Sequence, residues 1–139
     1  MPHKRRDTGF EMSDGATVTV GRDITSLSAS QDDTSIVAGV SGRRIRVLAL
    51  AMVASSSLGA DATSIGDRVN HVIFRSIGSA TSAVTGSIAV NNHGVVPSYY
   101  TLPYNPNGWF QTAVGDALFA SSLQSASAVI DLNITYAEV

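Results

Sequence analysis

The sequence predicts an all-β protein: an antiparallel β-sandwich or jelly roll with an extended N-terminal arm. Three observations predict it. Short β-branched runs recur along the chain, separated by turn signals, with no clear helix among them. Charged residues are only 14% of the 139, against about 25% in an average domain, and Ser, Thr, Asn and Gly supply the polar face instead. No Lys or Arg occurs in the 64 residues after Arg75. A surface that avoids cations over that length is expected to pack against copies of itself or against a larger assembly.

Residues 1–33 are expected to form the arm and residues 34–139 the sandwich domain. The arm holds four of the nine basic residues and six of the eleven acidic ones, with few large apolar groups. Within it Thr17-Val18-Thr19-Val20 alternates like a short strand, and Ser26 to Asp33 reads as arm or loop. A flexible tail and an arm that orders on a neighbour both fit this composition.

Thr34 to Val40 is a β-branched run, and Ser41-Gly42 a turn. Arg43 to Ala54 is a long strand that begins at a sheet edge. Strict alternation puts Ile45, Val47, Ala49, Ala51 and Val53 on one face, with Arg44, Arg46, Leu48, Leu50 and Met52 on the other. Its Ala-rich centre also permits a helix, but the β-branched start and the Ser55-Ser56-Ser57 stop favour a strand. Gly59 to Gly66 is a loop. Arg68 to Ser76 follows as a strand, with Asn70, Val72, Phe74 and Ser76 sharing one face. Ala83 to Val90 is the next strand, and Asn91-Asn92-His93-Gly94 a polar turn. Val95 to Tyr100 is extended, as Pro97 requires. Tyr104-Asn105-Pro106-Asn107-Gly108 has the early Pro and late Gly of a tight turn. Trp109 to Ala113, Ala117 to Leu123 and Ala128 to Ala137 complete eight or nine strands.

Composition bounds the function. The length fits one domain. A net charge of −2 gives no general attraction to nucleic acid. Without Cys there is no disulfide framework, no thiolate nucleophile and no Cys-ligated zinc. The most apolar stretch, Ile45 to Ala54, is 10 residues long, whereas a membrane-spanning helix needs roughly 20. The basic N-terminus has no apolar run behind it, so a secretory signal does not fit.

No catalytic constellation is legible. His3, His71 and His93 are scattered, with no second His at metal-pair spacing. Asp32-Asp33, Asp14-Gly15 and Asn92 to Gly94 read as turn or cap chemistry. The acids Asp116 and Asp131 lie in C-terminal strands, and a glycosidase would need two carboxylates facing one cleft. No phosphate-binding glycine loop or nucleophile elbow is present. Neither an enzyme nor a cofactor or metal site is expected. Lys4-Arg5-Arg6 and Arg43, Arg44 and Arg46 are two small basic clusters suited to an acidic protein partner. Tyr99, Tyr100, Tyr104, Trp109 and Phe110 fall within twelve residues; as a group they suit an oligomer seam or core better than a sugar-stacking surface.

The chain resembles a known family in five places. They are Gly42-Arg43-Arg44-Ile45-Arg46-Val47-Leu48-Ala49, the strand from Asn70 to Ser76, Thr85-Gly86-Ser87-Ile88, the segment Asn107-Gly108-Trp109-Phe110-Gln111-Thr112-Ala113-Val114-Gly115-Asp116-Ala117-Leu118, and the closing Tyr136-Ala137-Glu138-Val139. Together, over about residues 36–139, they are similar to small virion proteins of tailed bacteriophages, in particular head decoration (cement) proteins with a jelly-roll body. The resemblance implies a homotrimer, made in the host cytoplasm, on the outer capsid surface of the virion. Its partners would be the major capsid protein and itself, with no nucleic acid or membrane. Lys4, Arg5, Arg6 and Phe10 would then contact the capsid, and the Tyr99 to Phe110 cluster would build the body and seam. A carbohydrate- or receptor-binding β module of a tail fibre or spike is the alternative the residues leave open.

Overall fold

The computed structural model describes residues 10–11, 17–27, 31–56, 67–68, 70–90, 92–93, 98–123 and 128–139. Among them the chain forms β1 (Phe10–Glu11), β2 (Thr17–Leu27), β3 (Gln31–Val37), β4 (Ile45–Ser56), β5 (Asp67–Arg68), β6 (His71–Ile77) and β7 (Thr81–Ala83). There follow β8 (Ile88–Ala89), β9 (Asn92–His93), β10 (Ser98–Leu102), β11 (Phe110–Gln111), β12 (Ala117–Leu123) and β13 (Ala128–Glu138).

One sheet has the order β1-β2-β13-β4-β10, with β11 added on β4; the other has the order β3-β12-β6-β7, with β8 added on β6. A short β5–β9 pair stands apart. Every pairing is antiparallel. Successive long strands switch sheets: β2, β4, β10 and β13 lie in the first, β3, β6 and β12 in the second. The last strand returns between β2 and β4. Two four-strand sheets, β2-β13-β4-β10 and β3-β12-β6-β7, wound in this way are a jelly roll.

The core lies between the sheets. Leu27, Leu50, Met52, Ile130, Leu132 and Ile134 meet Val72, Phe74, Leu118 and Ala120 in one cluster. Each fully buried Leu, Ile or Phe contributes about 1.5–3 kcal/mol relative to exposure, so this apolar alternation drives the collapse. Phe74 stacks at a tilt on Phe110, with ring centroids 5.1 Å apart.

Several sequence expectations change. The long strand's strict alternation fails at Leu48. Thr135 opposes Ala49 and Tyr136 opposes Val47, leaving Leu48 as an extra residue, a β-bulge. Ile45 and Val47 face the core, but after the bulge Leu50, Met52 and Ala54 do so while Ala49, Ala51 and Val53 turn outward. Leu48 is buried instead in a small second cluster with Ala137 and Val139. Nor does β4 begin at an edge, since β13 flanks one side and β11 and β10 the other.

Ala83 to Val90 is not one strand. It breaks into β7 and β8 because the Val84 N–H donates to Phe74 O (2.9 Å) and Thr85 Oγ1 accepts from the Phe74 N–H (3.1 Å). The boundary placed at residue 33 does not coincide with a sheet boundary. Thr19 to Leu27 of β2 pair along β13, and Asp32 and Asp33, read as loop, lie within β3. Gly59 to Gly66 lies outside the described residues.

Candidate functional site

Outward-facing residues of the first sheet form rows across its strands. Ser26, Asp131, Val53 and Tyr99 make one row; Ile24, Asn133, Ala51 and Thr101 make the next; Arg22, Thr135 and Ala49 make the third. Ala49 and Ala51 are the lowest points, so the face dips along β4. The result is an open trough of about 340 Å³, walled by Arg22 and Asn133 on one side and by Thr101, Pro103 and Tyr104 on the other. Arg22 Nε donates to Asn133 Oδ1 at 3.0 Å, fixing both side chains. In the next row Ser26 Oγ donates to Asp131 Oδ1.

The turn after β10 builds the far wall. Gly108 N–H donates to Asn105 O at 2.9 Å and Asn107 N–H to Asn105 Oδ1 at 3.0 Å. These bonds put Pro106 second and Gly108 fourth in the turn, at a Gly108 φ of 80°, a value that favours glycine. Asn105 N–H and Trp109 N–H tie the turn to Leu48 O and Val47 O, at 2.8 Å each. Trp109 Nε1 donates to Pro103 O at 2.8 Å, which holds the indole. Beyond it, Arg46, Asn107, Trp109 and Gln111 line a second depression of about 310 Å³. There Arg46 Nε donates to Gln111 Oε1 at 2.9 Å, and its aliphatic stem covers Gly108.

The aromatic cluster expected as one unit is divided. Tyr100 and Phe110 pack on the core, whereas Tyr99, Tyr104 and Trp109 are exposed by 69%, 59% and 44%. The split follows the pleat, because Tyr99 and Tyr100 are consecutive on β10 and point to opposite faces. Lys4, Arg5 and Arg6 lie outside the described residues, as does the side chain of Phe10, whose backbone pairs with Val18.

The second sheet's outer face was not legible as a site. Its outward positions are His71, Ile73, Arg75 and Ile77 on β6 and Ala117, Phe119, Ser121 and Leu123 on β12. Leu123 is 66% exposed. Asp33 crosses this face at a second bulge, where Asp32 and Asp33 together oppose Ser121. Asp33 takes φ 47°, its N–H donates to Ser121 Oγ at 3.0 Å, and Ser121 Oγ donates to Asp33 Oδ1 at 2.8 Å. Arg75 Nε lies 3.6 Å from the same carboxylate. The alternating pattern of the two strands could have revealed this apolar face, but only with their pairing known.

Among the described residues no group of three or more His, Asp or Glu side chains is placed to hold a metal ion. His71 stands alone on β6, and β9 carries His93 opposite Asp67. Of the two acids expected in C-terminal strands, Asp131 lies in β13 and accepts from Ser26, whereas Asp116 lies in the turn before β12 and accepts from the buried Ser76. No described helix is long and apolar enough to cross a membrane.

No protein-family model matches the sequence, and no curated protein matches it. Among solved structures the chain is similar to one of Desmodium yellow mottle tymovirus (TM-score 0.40, 9% identity, 89% of each chain covered). It is also similar to the decameric BFDV capsid protein (TM-score 0.39, 9% identity, 88% of this chain and 99% of that one). A third likeness is to a CBM4 protein (TM-score 0.36, 17% identity, 91% of this chain and 86% of that one). The jelly-roll assignment rests on the strand order, not on these likenesses.

Proposed function

We propose that this chain is a structural virion protein: a capsid decoration protein that binds the outer surface of a phage head and stabilises it as a homotrimer. It would act without catalytic groups or a cofactor, with the major capsid protein and its own copies as partners.

The observation that carries this role is the outer face of the β3-β12-β6-β7 sheet. An antiparallel sheet with one solvated face reads polar on that face. Here five of the eight outward positions on β6 and β12 are apolar: Ile73, Ile77, Ala117, Phe119 and Leu123. Within the patch Arg75 Nε lies 3.6 Å from the Asp33 carboxylate, close enough to offset its charge but too far for a hydrogen bond, and Arg75 Nε is left without a hydrogen-bond partner among the described residues. Apolar side chains at most outward positions of two paired strands, with Leu123 66% exposed, favour a contact surface. The cation-free segment after Arg75 and the resemblance over residues 36–139 support the same role.

The test is molar mass by light scattering, followed by co-sedimentation with expanded phage heads. A trimer that sediments with heads supports the proposal. A monomer that stays in the supernatant at saturating concentration overturns it.

A further inference from the structure

We propose that the outer face of the other sheet, β2-β13-β4-β10, binds an acidic saccharide chain. Arg22 and Arg46 would meet its carboxylates, and Tyr104 and Trp109 its ring faces. This site is separate from the β6–β12 face.

Charge complementarity defines the occupant. Among the described residues Arg22 is the one charged residue lining the first trough and Arg46 the one charged residue lining the second, and no carboxylate lines either. In a molecule with a net charge of −2, two troughs that each present a cation select an anion; Asp131, an acid of this face, lies a row beyond the first trough and accepts from Ser26. Both guanidiniums are fixed in the same way. Each spends Nε on an amide oxygen, of Asn133 or of Gln111, and keeps its Nη donors for a carboxylate. An Arg–carboxylate pair is stronger and more directional than a neutral hydrogen bond.

The rest of the lining favours a saccharide over an acidic peptide. Tyr104 and Trp109 stand exposed on either side of one turn, and the Trp109 indole is locked by its bond to Pro103 O. Rigid aromatic rings with polar tips offer flat apolar contact at little entropic cost. The Asn133 amide and the Thr101 and Thr135 hydroxyls add hydroxyl-matching donors and acceptors. The small floor of Ala49 and Ala51 leaves the trough open, as an extended chain requires.

The test uses the full chain with three probes: hexagalacturonate, neutral maltohexaose and hexaglutamate. Trp109 is the protein's single Trp, so its fluorescence reports this face directly, and calorimetry gives the affinity. Hexagalacturonate is expected to shift the Trp109 emission and to bind at least about tenfold more tightly than the other two, with Arg22→Gln and Arg46→Gln each weakening it about tenfold. Tyr104→Ala should weaken it without changing the thermal melt. No binding of hexagalacturonate overturns the site. Equal affinity for maltohexaose overturns the role of the arginines, and equal affinity for hexaglutamate points to an acidic protein partner instead.

Discussion

Ser76 Oγ, at a position only 1% exposed, donates to Asp116 Oδ2 at 2.7 Å and accepts the Ala113 N–H at 2.9 Å. One buried hydroxyl on β6 thus anchors the turn that leads into β12. Ser76→Ala leaves the Ala113 N–H and the Asp116 carboxylate short of a partner, at a cost of about 1–3 kcal/mol. The urea midpoint should fall with an unchanged slope. Gly78→Ala should also destabilise, because its new Cβ meets the Asp116 carboxylate. Unfolding free energies within about 0.5 kcal/mol of wild type for both variants would show that the anchor does not matter.

Tyr136 predicts a pH dependence. Burial first, then the charges of Glu138 and Asp23, raise its phenol above the ordinary 10.0. The folded state therefore holds this proton more tightly than the unfolded chain. The associated stability is present below about pH 10 and is lost as the pH rises through the folded value. Tyr136→Phe should flatten the alkaline decline measured by urea midpoints between about pH 8 and 11. An identical decline in the variant would assign the effect to other groups. The tyrosine ring also covers Gly21, so Gly21→Ala should destabilise at every pH.

The apolar outer face of β6 and β12 can be switched off. Phe119→Asp with Leu123→Asp should leave the circular dichroism of the sandwich intact, because both side chains point away from the core. The same pair should lower the molar mass to that of a monomer. Retention of the oligomer would place the seam elsewhere.

The N-terminal segment separates two roles by length. Removing residues 2–9 leaves every described strand in place and is expected to weaken binding to phage heads while the melting temperature holds. Removing residues 2–33 takes away β2, the partner of β13 from Thr19 to Leu27, and is expected to unfold the domain. Unchanged head binding after the shorter deletion would exclude Lys4, Arg5 and Arg6 as capsid contacts.

Much of the fold was legible in the residues. Alternation at Asn70 to Ser76 put Asn70, Val72, Phe74 and Ser76 on one face, and the structure shows that face to be the buried one. Ala117 to Leu123 was found as an apolar run after the Gly115-Asp116 turn signal, and the closing strand by its β-branched Val129, Ile130, Ile134 and Thr135. The Asn105-Pro106-Asn107-Gly108 turn was legible for the same reason: Pro presets one backbone angle, and Gly permits a positive one.

The failures share a cause. The bulges at Leu48 and at Asp32-Asp33 are set by which strand lies opposite, so β4 keeps its apolar pattern while its faces exchange at Leu48. Tyr99 and Tyr104 looked like partners of Tyr100 and Phe110, but the pleat and the turn send them outward. Arg22 and Asn133 are 111 residues apart, and no local pattern relates them. By itself the sequence determined an all-β domain, its turns and the residues that share a face within an unbulged strand, because these follow from dihedral preference and the period of two. Only the tertiary structure decided the strand order, the bulges and the two outer faces, because pairing between distant strands determines which exposed residues become neighbours.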